Sequence, residues 1–133
     1  SYWIIIVLTI MEINEEFIHK IIIPRKNNSR KGQNGIIGVV GGSRLYHGAP
    51  ALSALAALRS GCDLAYLFVP ETIVNPIRAI APDLIVYSLS DSKITMGNSN
   101  KILTFRKNIN SFVIGPGLAN QKMNGLINLV SKL

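Results

Sequence analysis

The sequence predicts an α/β fold of three layers, built on a doubly wound, mostly parallel sheet. Three observations point there. Short apolar runs alternate along the chain with segments of helical periodicity, as in strand–helix–strand units. The run Ile36–Val40 is β-branched and bounded by glycines, the pattern of a strand buried on both faces. Glycine-rich loops follow two of the strand candidates, at Gly41-Gly42 and at Gly115-Pro116-Gly117.

Composition bounds the rest. The 133 residues are 48% hydrophobic and 16% charged, which suffices to bury a core. The natural count is one domain or part of one. The length suits a small α/β unit and falls short of the ~250 residues that larger single-core enzymes use. A lone Cys62 excludes an intrachain disulfide framework and a multi-cysteine zinc site, and it fits a reducing compartment, with cytoplasm as the default. Lys and Arg number 14 against 7 Asp and Glu, a net charge of +7 that suits an anionic partner such as a nucleotide, a nucleic acid or a phosphate-bearing substrate. Lys20, Arg25, Lys26, Arg30 and Lys31 fall in one stretch with no interleaved aromatic platform, so the cluster reads as a solvated segment and nucleic acid is not the expected partner.

Along the chain, Tyr2–Ile10 is apolar but much shorter than the ~20 residues of a membrane span, and no basic stretch precedes it. Residues 1–10 are expected to form an N-terminal extension, or a strand that pairs with the sheet or another chain; no membrane partner is expected. Residues 11–133 then form one unit. Ile13, Phe17, Ile18 and Ile21 recur at helical spacing, with Glu12, Glu15 and Glu16 toward the front, predicting a helix over Met11–Ile23 that Pro24 ends. Arg25–Gly35 is a polar loop, its charges facing solvent or a ligand. After the Ile36–Val40 strand and the Gly41–Gly48 loop, Ala49–Ser60 predicts a helix with Pro50 in its first turn and Gly61 past its end. Asp63–Val69 is a strand, Pro70–Ile80 a short helix broken by Pro76, and Leu84–Leu89 a third strand. Ser90–Asn100 is polar and turn-rich, and Lys101–Lys107 reads as helix or irregular. Ser111–Ile114 is a further strand, and Asn120–Lys132 a terminal helix with Met123, Leu126, Ile127 and Val130 on one face.

In an open α/β sheet, ligands sit at the carboxyl ends of strands, where glycines admit a ligand to the backbone and a helix N-terminus favours an anion. The two glycine loops qualify, although glycine after a strand is also ordinary turn chemistry. Neither matches G-x-G-x-x-G, and no G-x-x-x-x-G-K-[ST] is present, which argues against a dehydrogenase and a P-loop enzyme. His19 and His47 lie far apart without clustered carboxylates, so no metal site is expected, and no G-x-S-x-G elbow surrounds Ser43 or Ser60. His47 reads as a hydrogen-bonding loop residue rather than a general base, and Cys62 as a buried small hydrophobe. Lys31, beside Gly32, is either a phosphate partner or a solvated lysine.

The runs Arg30-Lys31-Gly32-Gln33-Asn34-Gly35, Ile36–Val40, Gly41-Gly42-Ser43 and Tyr46-His47-Gly48-Ala49 together resemble the NAD(P)H-hydrate dehydratases, relatives of carbohydrate kinases in the ribokinase-like superfamily. Ile23-Pro24-Arg25, Ala56-Leu58-Arg59-Ser60-Gly61, Pro82-Asp83-Leu84 and Gly115-Pro116-Gly117-Leu118 keep the same order, so the resemblance runs from Met11 to Leu118. It implies a repair reaction in which ADP or ATP, with Mg2+, phosphorylates the hydroxyl of hydrated NADH or NADPH and phosphate then leaves. It also implies that Gly48 and Ala49 line the substrate pocket with Gly117 opposite, and that Lys31, Gly32, Ser43, Tyr46 and Gly115 are weaker candidates. Arg30 stands where the family commonly has His. The family's T-P-H-x-G-E segment, its lysine-glycine adenylate run and its loop with the catalytic Asp are not among the 133 residues. The resemblance therefore implies the N-terminal half of a ribokinase-like domain, apparently truncated, with no catalytic residue assigned and its own turnover an open question. An exposed sheet edge is expected, and with it a homo-oligomer or a complementary C-terminal chain. Two alternatives stand beside this: another ribokinase-like kinase acting on a sugar or small alcohol, and a non-catalytic nucleotide-binding remnant.

Overall fold

A computed structural model describes residues 13–90, 92–120 and 123–133. The extension expected over residues 1–10 and the first two residues of the helix expected from Met11 lie outside them.

Four parallel strands, β1 (Ile36–Val40), β2 (Leu64–Pro70), β3 (Ile85–Leu89) and β4 (Ser111–Ile114), form one sheet in the order β3-β2-β1-β4. The α-helices among the described residues are α1 (Glu15–Ile21), α2 (Gly48–Arg59), α3 (Val74–Arg78), α4 (Met96–Leu103) and α5 (Met123–Lys132). Successive side chains of a strand point to opposite faces, and here both faces are covered. Val39, Leu67 and Val69 pack with Ala51 and Ala54 of α2 and Ile77 of α3, while Val40 and Phe68 pack with Ile102 of α4 and Leu129 of α5. This is the three-layer, doubly wound arrangement that the sequence predicts. Phe68 also stacks on Tyr87 and meets Phe105 edge-on, so aromatic rings fill the α4–α5 side.

Several elements depart from expectation. α1 is shorter than Met11–Ile23, and none of its residues is buried, so its apolar side lacks the partner that would extend it. Pro76 does not break a helix; it sits in the first turn of α3, where its missing N–H costs nothing. The polar, turn-rich stretch Ser90–Asn100 contains most of α4. Thr95 accepts from the Asn98 N–H, and Ser99 and Ile102 are fully buried. The inward face of α5 is Gly125 and Leu129, whereas Ile127 and Val130 of the expected face are more than half exposed. Gly125 lies against the Ile94 carbonyl, where a side chain has no room, and this close approach sets the helix's rotation. Cys62 is half-buried and free rather than fully buried.

Candidate functional site

The chain leaves β1 toward β2 and β3, then crosses back to place β4 on the other side of β1. Strand order therefore reverses between β1 and β4, the switch point at which the loops beyond the carboxyl ends diverge and leave a crevice. The loops at that crevice are the two glycine loops. They are fastened to each other and to the sheet: the Gly42 N–H donates to the Pro116 carbonyl at 2.7 Å, and the Gly115 N–H donates to the Val40 carbonyl at 3.0 Å.

An imagined Cβ at each glycine separates structural glycines from open ones. At Gly41 it would collide with the Pro116 carbonyl. At Gly42, with φ +81°, it would lie 2.5 Å from Ile73 Cδ1. At Gly117, with φ +70°, it would lie 2.6 Å from the Tyr46 carbonyl and 3.2 Å from Ala49 Cβ. Gly41 and Gly117 let the loops touch one another, and Gly42 lets its loop pack on Ile73 and Pro50. Gly48 and Gly115 differ, because nothing lies within 4 Å of a Cβ at either. At both, the space beside the backbone is open.

The remaining candidates sort by the same geometry. Ser43 is 6% exposed, and its Oγ accepts from the Tyr46 N–H at 3.3 Å, so it shapes the loop from inside. Tyr46 is exposed. Ala49 follows Gly48 in the first turn of α2, which has no acidic residue and no side-chain cap. His47 is exposed and makes no capping bond, contrary to the hydrogen-bonding role expected of it. The first N–H groups of α2 thus point at the crevice uncapped by any side chain, a setting suited to an anion. Gly117 supports this wall by packing on Tyr46, so Gly117→Val disturbs the loop itself and is not the clean probe of ligand contact that its motif suggests.

Lys31 and Gly32 are not brought to the crevice. They precede β1 and so lie at the amino edge of the sheet, across a five-residue strand that spans about 16 Å. There Gly32 belongs to a brace that the sequence does not advertise. Asp63, its side chain 6% exposed, accepts from the Gly32 N–H at 2.8 Å and the Asn34 N–H at 2.9 Å, and pairs with Arg25 at 3.0 Å. The Asn34 N–H, foremost, with the Asn34 side chain, the Gly32 N–H and the Arg25 charge, holds the Asp63 carboxyl below its usual range against the opposing effect of desolvation. Arg25 also donates to the Gly61 carbonyl at 2.6 Å, tying the loop to the end of α2.

A sequence model described as NAD(P)H-hydrate dehydratase matches residues 37–132, which include the whole crevice. The chain belongs to the NAD(P)H-hydrate dehydratase family. It is 51% identical over 117 residues to an ADP-dependent (S)-NAD(P)H-hydrate dehydratase of Nitrosopumilus maritimus, across 87% of this chain and 41% of that protein. It is 38% identical over 108 residues to an ATP-dependent (S)-NAD(P)H-hydrate dehydratase of Pongo abelii, across 81% of this chain and 32% of that one. Its fold is similar to that of a ribokinase-like superfamily protein of Enterococcus faecalis, with a TM-score of 0.65 over 83% of this chain and 36% of the other, at 24% identity. The chain thus spans less than half the length of these relatives. Among the described residues, no three His, Cys, Asp or Glu side chains gather to hold an ion, and no helix is long and apolar enough to cross a membrane.

Proposed function

We propose that residues 11–133 form the substrate side of an NAD(P)H-hydrate dehydratase and that the switch-point crevice receives hydrated NADH or NADPH. The observation that carries this is the open space at Gly48 and Gly115, one glycine on each loop, while the other glycines of these loops are filled by neighbours. At Gly48 a pyrophosphate reaches the uncapped N–H groups of α2 without a side chain in the way. Ala49 keeps that turn small, Gly115 leaves the opposite wall open, and Tyr46 flanks the mouth. Ser43 and Gly117 hold Tyr46 in place. Gly32 serves the brace around Asp63 instead, and Lys31 precedes it at the same edge of the sheet.

The chain's own residues bind and orient the dinucleotide. The phosphoryl donor is ADP or ATP, the nucleotides that the relatives' names carry. The outer edge of β4 is unpaired among the described residues, and a cavity of about 420 Å³ beside it is lined by Phe112, Ile114, Val130 and Leu133. A complementary C-terminal portion of the dehydratase docks there and brings the donor site. Cytoplasm is the compartment that fits this substrate and the single free thiol.

Calorimetric titration of the 133-residue chain with hydrated NADPH tests the proposal. Binding that Gly48→Val weakens tenfold or more supports it. A folded chain with no affinity for the hydrated dinucleotide overturns it.

A further inference from the structure

Arg44 is the sole Lys or Arg in the two crevice loops, residues 41–48 and 115–120. Its position is set from inside the loop. The Tyr46 N–H donates to the Ser43 carbonyl at 3.1 Å and to Ser43 Oγ at 3.3 Å, and Ser43 is buried, so residues 44 and 45 form the outer corner of a tight turn. Arg44 is exposed there. Some cations elsewhere in the chain are committed, Arg25 to Asp63 and the Gly61 carbonyl, Arg78 to the Val86 carbonyl, and Lys101 to the Ser88 carbonyl. Arg44 has no such partner among the described residues, and the first turn of α2 beside it offers no carboxylate.

We infer that Arg44 is a substrate-recognition residue that pairs with a phosphate of the bound dinucleotide, an inference that rests on the crevice being the dinucleotide site. A guanidinium presents N–H groups in a fixed fork that matches two oxygens of one phosphate, which an ammonium cannot reproduce. The turn holds the Arg44 backbone while the side chain is free to swing to the anion. The α2 N–H groups and Arg44 then approach the phosphates from two sides, and the arginine adds the full positive charge that the helix end lacks.

The test is calorimetric titration of hydrated NADPH into the wild-type chain, Arg44→Gln and Arg44→Lys, each at low and at moderate salt. Arg44→Gln is expected to bind about tenfold more weakly at low salt, with Arg44→Lys between it and the wild type. Salt is expected to weaken the wild type more than Arg44→Gln, because a screened charge is lost in the variant. Equal affinities of wild type and Arg44→Gln, or equal salt dependence, overturn the role of Arg44 and leave the crevice in place. Absence of binding by the folded wild type overturns the crevice as the site, and the role of Arg44 with it.

Discussion

Gly48 and Gly117 belong to the same crevice, yet alanine at the two positions should have opposite effects on stability. At Gly48 the backbone is ordinary helix, and a Cβ meets nothing within 4 Å. Alanine there removes unfolded-state freedom and raises helix propensity, a gain of about 0.5–1 kcal/mol. For a chain of this length that is a rise in Tm of about 2–5 °C. At Gly117, φ is +70°, and the new Cβ would lie 2.6 Å from a backbone oxygen that a side-chain rotation cannot move. The left-handed backbone alone costs about 1–2 kcal/mol with a Cβ, and the collision adds to it. Thermal unfolding should therefore show Gly48→Ala at or above the wild-type Tm and Gly117→Ala several degrees below it. Calorimetry on Gly48→Val should show a stable protein with at least tenfold weaker affinity for the hydrated dinucleotide, a loss of about 1.4 kcal/mol or more. A Gly48→Ala chain that unfolds earlier than Gly117→Ala would refute the assignment of open and filled glycines. So would a folded Gly48→Val that binds as tightly as the wild type.

Asp63→Asn should lower Tm at neutral pH by weakening the brace on the 25–35 loop. Because the native Asp63 carboxyl titrates below its unfolded value, its contribution is complete above about pH 4 and disappears as pH falls through the lowered native pKa; Tm of wild type and variant should converge in acid, and a constant gap across pH would contradict the brace. Leu129→Ala should cost about 2–5 kcal/mol in urea unfolding, since Leu129 is fully buried against the α4 side of the core. Val130→Asp, on a side chain 58% exposed, should change stability of the isolated chain by no more than about 0.5 kcal/mol. It should nonetheless weaken capture of a fragment supplying the remaining length of the dehydratase, measured by fluorescence anisotropy; undiminished capture would remove the β4 edge as the docking surface.

The sheet was legible because its strands have no competing description. Ile36–Val40 is apolar, β-branched and closed by glycines at both ends, and the structure gives it the same bounds. The crevice was legible in part, since glycine after a strand marks the edge where ligands bind, while only three-dimensional packing tells a filled glycine from an open one. Helix α4 escaped the sequence because Gly97-Asn98-Ser99-Asn100 are poor helix formers. Its stability comes from the Thr95 cap and from contacts with α5, including the Asn128 amide donating to Ser99 Oγ at 2.7 Å. The face of α5 was misassigned because apolarity favours Ile127 and Val130, whereas the close approach of Gly125 to Ile94 decides the rotation. Lys31 and Gly32 stand near the first glycine loop in the chain, but β1 lies between them and sends the two to opposite edges. Asp63 gave no signal because its partners, Arg25, Gly32 and Asn34, are 29 or more residues away in sequence.

The central claim is that the dinucleotide binds at the carboxyl edge of the sheet, between the β1 and β4 loops. Titration of hydrated NADPH into the Gly48→Val and Lys31→Ala chains, compared with the wild type, tests it most directly. The crevice predicts affinity lost in Gly48→Val and kept in Lys31→Ala; affinity kept in Gly48→Val and lost in Lys31→Ala would place the site at the amino edge and contradict the account.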